Sequence, residues 1–251
     1  MPLPRTPSMR LDGRRAFVPG GSRGIGLGCA VALAGAGAAV TIAARSAEQV
    51  SDAVDQMCAE GLEAEGIALD VTDLAALDRF LADRPPFDVL CNAAGIARHA
   101  PALETAPEDF DAVTSVNLRA AYFLAQRVAR GMERGGSVIQ ISSQMGHVGG
   151  VDRAVYCATK HGVEGMTKAM AIEWGPRDIR VNTVCPTFIR TPLTAATFAD
   201  PERRAWIESK IKLPRVGEVE DVMGAVLFLA SDASAMVTGT ALVIDGGWTA
   251  G

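Results

Sequence analysis

Residues 15–26 have the sequence Arg-Ala-Phe-Val-Pro-Gly-Gly-Ser-Arg-Gly-Ile-Gly, in which four glycines separate a short apolar run from an alanine-rich run. The apolar run predicts a strand over 15–18, and the alanine-rich run predicts a helix that ends near Gly37. Glycines allow a sharp turn between these elements and let the backbone approach a ligand closely. The free N–H groups at the start of a helix attract phosphate. The turn therefore predicts a phosphate-binding site, although glycine-rich turns also occur for packing alone.

Segments with strand and helix character alternate along the whole chain. Further strands are predicted at 39–44, 65–69, 87–91, 137–141, 179–184 and 241–244, and two long helices at 107–130 and 153–174. Strands that alternate with helices without interruption form a parallel sheet with helices on both faces. No linker or internal repeat divides the chain. We therefore predict an α/β fold, a single doubly wound Rossmann-type domain of about seven parallel strands flanked by helices.

The composition excludes several classes of protein. Of the 251 residues 49% are hydrophobic and 21% are charged, which is typical of a folded domain and not of a disordered chain. The formal net charge of −5 argues against nucleic-acid binding. No apolar run reaches the roughly 18 residues of a membrane span. Five dispersed cysteines indicate a reduced, cytoplasmic protein, and residues 1–10 are expected to be a disordered tail.

Further motifs follow the glycine turn in a fixed order. They are Cys91-Asn-Ala-Ala-Gly95, Asn117, Ser143 with Tyr156-Cys-Ala-Thr-Lys160, and Pro186-Thr-Phe-Ile-Arg-Thr191. Together with the turn's spacing G-x-x-x-G-x-G they resemble the short-chain dehydrogenase/reductase family over about residues 11–248, in particular 3-oxoacyl reductases and carbonyl reductases. The resemblance implies that residues 11–251 form a dinucleotide-binding catalytic domain. The chain departs from the family pattern at Pro19, Ala93 and Thr187, and none of these changes removes a catalytic group.

The resemblance implies four catalytic residues, Asn117, Ser143, Tyr156 and Lys160. Tyr156 and Lys160 are four residues apart, so both project from one helix face. We expect the lysine ammonium to lower the pKa of the tyrosine from its usual value of about 10. Tyr156 then exchanges a proton with the substrate, and Ser143 hydrogen-bonds the substrate oxygen. By resemblance, Asn117 holds a water that relays protons to Lys160.

The residue type at the end of the second strand determines whether NAD or NADP is the preferred cofactor. An acidic residue there favours NAD, whereas an arginine accommodates the 2′-phosphate of NADP. Ala44 occupies the position at which an acidic residue would favour NAD, and Arg45 follows it. Arg23 in the glycine turn is close enough to assist Arg45 in binding the 2′-phosphate. NADP(H) is therefore preferred, with NAD(H) as the alternative. The predicted cofactor-binding residues are Gly20, Ser22, Arg23, Gly24, Ile25, Gly26, Arg45, Asp70, Val71, Asn92, Ala93, Gly95, Tyr156, Lys160, Pro186, Ile189 and Thr191.

The substrate site is the least determined part of the sequence. Residues at about 191–213 are predicted to form a lid, in which Asp200 caps a helix that begins at Pro201. Candidate substrate contacts are Gln144, His147, Phe188 and Trp206, each of which has an alternative as a loop or packing residue. Only three histidines are present and their spacing is unlike that of metal ligands, so no metal is expected.

The leading hypothesis is an NADP(H)-dependent oxidoreductase that interconverts a ketone, or a 3-oxoacyl group, and a secondary alcohol. The alternative is an NAD(P)-dependent polyol or sugar dehydrogenase. A catalytically inactive dinucleotide-binding sensor is disfavoured, because pure binding does not require four catalytic residues. The family resemblance also implies a homotetramer, in which the two long helices pack on their copies and Trp248 anchors a second contact. Besides further copies of the chain, the expected partner is a small carbonyl or alcohol substrate. We expect no nucleic-acid partner and no membrane association.

Overall fold

A computed structural model describes residues 3–251 and contains a seven-stranded sheet in which every pairing is parallel. The strand order is β3-β2-β1-β4-β5-β6-β7. The strands are β1 (Arg15–Pro19), β2 (Ala39–Ala44), β3 (Ala64–Ala68), β4 (Val89–Asn92), β5 (Gly136–Ile141), β6 (Ile179–Pro186) and β7 (Ala241–Ile244). The predicted doubly wound α/β fold is confirmed.

Helices cover both faces of the sheet. The α-helices of the described residues are α1 (Gly24–Gly35), α2 (Ala47–Ala59), α3 (Leu74–Ala82), α4 (Pro107–Thr114), α5 (Ala121–Gly131), α6 (Ala154–Trp174), α7 (Ala195–Ala199), α8 (Pro201–Lys210) and α9 (Glu220–Ala230). One core cluster joins α1, α2 and α9 to the sheet, and the other joins α3, α5 and α6 to it. In residues 3–251 no helix is both long enough and apolar enough to cross a membrane.

The predicted boundaries hold to within one or two residues for most elements, which is the usual spread at element ends. The long helix predicted over 107–130 is different, because a π-helical segment at Ser115–Ala120 separates α4 from α5. Helices α3, α7 and α9 are not among the predicted elements. The predicted tail falls partly outside the described residues, since residues 1–2 are not covered. Residues 3–10 are exposed and form no helix or strand.

The strand order determines where in the sheet the ligand-binding crevice lies. Strands β2 and β4 both pair with β1, so the chain leaves β1 on one side and later returns on the other. In an open parallel sheet, the crevice at this switch point lies outside the carboxyl ends of the strands. Gly20–Gly26, the loop after β4 and the loop after β5 all lie at these ends. The fold therefore brings together segments that are far apart in sequence.

Gly28 lets α1 pack closely on the start of α9. A Cβ at Gly28 would lie 2.2 Å from Val219 Cγ1, whereas a Cβ at Gly35 in the same helix would meet nothing within 4 Å. We expect Gly28→Ala to lower the free energy of unfolding by about 1–3 kcal/mol through overpacking. Gly35→Ala is the matched control, and we expect it to be neutral or to stabilise by about 0.4–1 kcal/mol. Urea denaturation measures both values, and equal effects of the two substitutions would contradict this account of the helix contact.

Candidate active site

A cavity of about 770 Å³ occupies the crevice at the switch point. Its walls come from the glycine turn, the ends of β2, β4, β5 and β6, and the first turns of α6. A volume in this range is typical of small-molecule and cofactor sites. The cavity brings together all of the residues predicted for catalysis and cofactor binding except two, Asn92 and Asn117.

The glycine turn can bind a pyrophosphate because Gly20 and Gly26 present only backbone atoms to it, without side chains that would block its approach. Gly20 has φ +79°, and a Cβ there would lie 2.6 Å from the carbonyl carbon of Ala93. A Cβ at Gly26 would lie 2.0 Å from the carbonyl oxygen of Gly20. The N-cap residue of α1, Arg23, makes no side-chain capping bond to the helix. The first N–H groups of α1 are therefore available to a phosphate.

Two arginines lie in the cavity wall near the end of β2. Arg45 follows Ala44, Arg23 lies in the glycine turn, and both side chains are exposed. Across residues 3–251, neither guanidinium lies within 4.0 Å of a carboxylate oxygen. The carboxylate of Asp70 instead accepts hydrogen bonds from the N–H and the hydroxyl of Thr72, at 2.9 and 2.7 Å. Two unpaired guanidiniums suit the 2′-phosphate of NADP.

Asn92 is the one predicted cofactor-binding residue that does not line the cavity. It is buried, its Nδ2 donates to Gln140 Oε1 at 2.8 Å, and its Oδ1 accepts from the N–H of Ala94 at 3.2 Å. These bonds tie β4 to β5 and fix the start of the loop after β4. Both polar side-chain atoms of Asn92 are engaged inside the protein, and its cofactor-binding role stays a prediction.

Ser143, Tyr156 and Lys160 all line the cavity. Ser143 follows the end of β5, while Tyr156 and Lys160 lie one helical turn apart on α6. Lys160 Nζ donates to the carbonyl oxygen of Ile141 at 2.9 Å and lies 5.6 Å from the centroid of the Tyr156 ring. Burial lowers the pKa of Lys160 to about 8, against the opposing influence of Cys185 and the Glu164 carboxylate. The lysine is thus a desolvated cation beside the phenol.

The pKa of Tyr156 differs from the sequence-based expectation. Burial raises the pKa of this phenol, and the influences that lower it are a hydrogen bond from Ser143 and the positive charge of Arg153. The ammonium of Lys160 is directed to the Ile141 carbonyl instead. The expected lowering by Lys160 is therefore not found in this structure. Desolvation outweighs the neighbouring charges, because the phenolate loses more hydration than they return.

Asn117 lies in the π-helical segment and is buried behind the cavity wall. Its Oδ1 accepts from the N–H of Ile96 at 2.8 Å, and its Nδ2 donates to the carbonyl oxygen of Ile96 at 2.8 Å. These two bonds tie the Asn117 side chain to the backbone of Ile96. The catalytic role of Asn117 as part of a water relay stays a prediction.

Two of the four predicted substrate residues line the cavity, namely Gln144 and Phe188. Trp206 does not, because its ring packs edge-on against Trp248 with centroids 5.2 Å apart. Trp248 in turn stacks on Phe188, with ring centroids 5.8 Å apart, so this tryptophan is packed within its own chain. The helix predicted to begin at Asp200 and Pro201 is present as α8, with Asp200 as its N-cap.

His147 is also absent from the cavity wall. Its Nε2 lies 3.4 Å from Cys185 Sγ and 3.8 Å from Glu164 Oε2, because the short 3-10 turn Gln144–Gly146 directs it towards β6. The potential ligand atoms of these three residues lie within 4.8 Å of one another. Glu164 already accepts a hydrogen bond from the Thr183 hydroxyl at 2.8 Å. The substrate role of His147 and the absence of a metal both stay predictions.

The structure adds cavity residues that the sequence analysis missed. Arg153 and His99 line the wall beside Tyr156, and so does Thr187 from the loop after β6. Gln144 Nε2 and Thr187 Oγ1 are buried and have no hydrogen-bond partner in the described part of the chain. Arg153 was detectable in principle, because a cation at a helix N-terminus is electrostatically unfavourable. His99 carried no comparable signal, since it lies in an irregular loop.

This fold and site define a dinucleotide-binding oxidoreductase with a serine, a tyrosine and a lysine in its cavity. The family model described as enoyl-(acyl carrier protein) reductase matches residues 20–249. Gluconate 5-dehydrogenase of Gluconobacter oxydans is 40% identical over 248 residues, covering 95% of this chain and 96% of that protein. L-Xylulose reductase of Bos taurus is 40% identical over 245 residues, covering 96% of this chain and 99% of that protein.

Solved structures are similar over the same length. The crystal structure of a gluconate 5-dehydrogenase from Burkholderia cenocepacia, in complex with NADP and tartrate, has a TM-score of 0.92 and 38% identity. It covers 97% of this chain, which in turn covers 98% of that one. The chain belongs to the short-chain dehydrogenase/reductase family. It is an NAD(P)-dependent oxidoreductase of the short-chain type.

The lowered pKa of Lys160 predicts how stability depends on pH. The pKa falls from 10.5 to about 8 on folding, so between these values the unfolded chain binds more protons and the free energy of unfolding rises with pH. Lys160→Met removes this dependence. Below pH 8 we expect the variant to exceed wild type in stability by up to about 3 kcal/mol, and the difference to shrink as the pH approaches 10.5.

Urea denaturation at a series of pH values from about 7 to 10 measures this difference between the two proteins. Lys168→Met is the matched control, because Lys168 is an exposed lysine on the same helix. We expect its stability to follow the wild-type curve. A stability difference for Lys160→Met that stays constant over the whole pH range would contradict the lowered pKa.

Proposed function

We propose that the enzyme interconverts a secondary alcohol and a ketone on a small polyhydroxylated substrate, with NADP(H) as its preferred cofactor. The observation that carries the proposal is one cavity that holds Ser143, Tyr156 and Lys160 together with the unpaired guanidiniums of Arg23 and Arg45. The intact catalytic residues also argue against an inactive dinucleotide-binding sensor. NAD(H) is the weaker candidate, because no carboxylate follows β2 to hold a free ribose hydroxyl.

The residues of the cavity divide the chemistry between them. When bound, the nicotinamide cofactor donates or accepts the hydride. During reduction Tyr156 donates its phenolic proton to the carbonyl oxygen and becomes a phenolate. During oxidation the phenol first releases its proton to solvent, and the phenolate then accepts the proton of the alcohol. The hydroxyl of Ser143 donates a hydrogen bond to that oxygen as negative charge develops on it. Lys160 holds its ammonium 5.6 Å from the phenol ring, and the glycine turn binds the pyrophosphate.

The polyol and sugar alternative is better supported than the 3-oxoacyl group of the leading hypothesis. The relatives at 40% identity are named for gluconate and L-xylulose. The cavity also holds two buried polar atoms without a protein partner, Gln144 Nε2 and Thr187 Oγ1, and the hydroxyls of a polyol can satisfy both.

Helices α7 and α8 lie within the proposed lid at about 191–213, where Leu193 and Thr197 contact the cavity.

We also infer a homotetramer in the cytoplasm. Large apolar side chains are exposed on the long helices, namely Phe110, Tyr122 and Ile172, and a partner subunit would cover them. Trp248 is not the free anchor expected from the sequence, because it packs between Phe188 and Trp206. All five cysteines are free thiols, which suits a reducing compartment.

Replacement of Tyr156 by Phe tests the reaction. We expect Tyr156→Phe to lower kcat by about 100-fold or more, because it removes the only hydroxyl assigned to proton transfer while the ring still packs. NADPH affinity, measured by fluorescence titration, should change by less than about twofold. Oxidation of a panel of polyols and sugar acids by NADP⁺ gives kcat. Tyr122→Phe changes the other tyrosine of the chain and serves as control. More than a tenth of wild-type kcat in Tyr156→Phe would refute its role.

Replacement of Arg45 by Ala tests the cofactor preference. Loss of a charge-assisted hydrogen bond to the 2′-phosphate should weaken NADPH binding by on the order of tenfold, and leave NADH binding nearly unchanged. The double variant Arg23→Ala/Arg45→Ala should approach a hundredfold loss. Arg79→Ala, an exposed arginine outside the cavity, is the control. Equal weakening of both cofactors, or a wild-type preference for NADH, would assign the enzyme to NAD.

A further inference from the structure

Arg153 places a positive charge in the cavity beside the catalytic tyrosine. It is the N-cap residue of α6, three positions before Tyr156, and it lines the cavity. Its guanidinium lies 5.1 Å from the centroid of the Phe188 ring, which forms part of the same wall. Its Nη1 lies 2.6 Å from His99 Nε2. The guanidinium is therefore held from two sides at the place where a substrate meets Tyr156.

His99 orients this guanidinium as a hydrogen-bond acceptor. Desolvation and the charge of Arg153 lower the pKa of His99 to about 4, so the imidazole is neutral near neutral pH. A neutral ring nitrogen accepts the hydrogen bond that Arg153 donates. The His99 ring also packs edge-on against the Tyr156 ring, with centroids 5.8 Å apart. The imidazole thus links the position of Arg153 to that of the catalytic phenol.

The charge of Arg153 has no carboxylate partner in the protein. Within residues 3–251 no carboxylate oxygen lies within 4.0 Å of its guanidinium. The surrounding charges are those of exposed Asp152 and of Arg203 on α8, and the second is repulsive. Arg98 also lines the cavity but is paired with Asp109 at 2.6 Å. Arg153 is the cation of this wall that remains free to bind an anion.

The placement of Arg153 has an electrostatic cost that no carboxylate of the described residues offsets. Partial burial lowers the pKa of its guanidinium, and the positive end of the α6 dipole repels it. Folding alone would favour a neutral or acidic residue at this position. A ligand anion removes the penalty, because a carboxylate neutralises the charge and accepts two parallel N–H bonds from the guanidinium.

We propose that Arg153, oriented by His99, binds a carboxylate of the substrate, so that the enzyme acts on a hydroxyl group of a sugar acid in preference to a neutral polyol. This inference rests on the proposed alcohol–ketone chemistry at Tyr156. It assigns one end of the substrate to Arg153 and leaves the hydroxyls to the unpartnered Gln144 Nε2 and Thr187 Oγ1. Arg153 is thereby a specificity-determining residue.

Matched substrates measure this preference. D-Gluconate and D-glucitol share most of their hydroxyl groups and differ in a terminal carboxylate against a CH₂OH group. Further aldonates with their matching alditols, and D-glucitol 6-phosphate, complete the panel. With NADP⁺, we expect wild type to show a higher kcat/KM for an aldonate than for its alditol. Arg153→Gln should lower kcat/KM for the aldonate by on the order of ten- to a hundredfold, mainly through KM, and for the alditol by less than about threefold.

Two variants control for damage to the fold. Arg84 is also stacked on a phenylalanine, Phe80, but lies outside the catalytic cavity, so Arg84→Gln should leave both substrates unaffected. Arg153→Lys keeps the charge without the planar fork and should retain part of the aldonate preference. Unchanged NADPH binding in each variant shows that the site is folded. Equal losses for aldonate and alditol in Arg153→Gln, or a preference for the sugar phosphate, would overturn the inference.

A binding experiment separates this inference from the proposed function. Tyr156→Phe saturated with NADP⁺ is titrated with each aldonate by calorimetry, with and without Arg153→Gln. Aldonate binding that weakens at least tenfold on Arg153→Gln supports the carboxylate site even if no sugar is turned over, in which case the proposed function alone fails. If the enzyme oxidises alditols but neither prefers nor binds aldonates, the proposed function stands and the role of Arg153 is overturned.

Discussion

At Gly26 a single methyl group would lie 2.0 Å from the carbonyl oxygen of Gly20, and at Gly20 it would lie 2.6 Å from the backbone of Ala93. The N–H of Gly20 also donates to the carbonyl oxygen of Ala43 at 2.7 Å, and the N–H of Ala93 donates to the carbonyl oxygen of Pro19 at 2.9 Å. The ends of β1, β2 and β4 are therefore joined by backbone alone. This close approach leaves the start of α1 open to a phosphate, and it fixes the glycine turn against the ends of β2 and β4 in the cavity wall.

Helix α6 provides the second half of the site through its spacing. Arg153, Tyr156, Lys160 and Glu164 follow one another at intervals of three, four and four residues, so they share one face of the helix. Glu164 is buried behind the lysine and bonded to Thr183, and its charge partly offsets the desolvation that lowers the pKa of Lys160. One helix thus holds the proposed substrate-binding guanidinium, the phenol and the ammonium in fixed order. Rigid placement of this kind reduces the entropy cost of reaching the reactive geometry.

The sequence predicts the fold and the cavity well because both depend on local signals. Alternating strands and helices imply the parallel sheet, and glycines mark the turn where side chains are excluded. Contacts made by tertiary packing were not predictable in this way. Nothing local shows that Trp206 packs on Trp248, that His147 turns towards Cys185, or that both amide atoms of Asn117 bind the Ile96 backbone. The π-helical segment has no periodicity signal either, since it lasts only from Ser115 to Ala120.

The charge of the cavity is opposite to that of the chain. The net charge is −5, yet Arg23, Arg45, Arg153 and Lys160 all line the cavity, and throughout residues 3–251 none of them has a carboxylate within 4.0 Å. Unpaired cations in a concave, partly desolvated site produce a positive field that concentrates anions. Desolvation of Arg153 and Lys160 lowers the stability of the empty protein, so anionic ligands that bind only the folded state restore it by mass action. Cofactor phosphates would neutralise one part of this field, and a substrate carboxylate at Arg153 would neutralise the other.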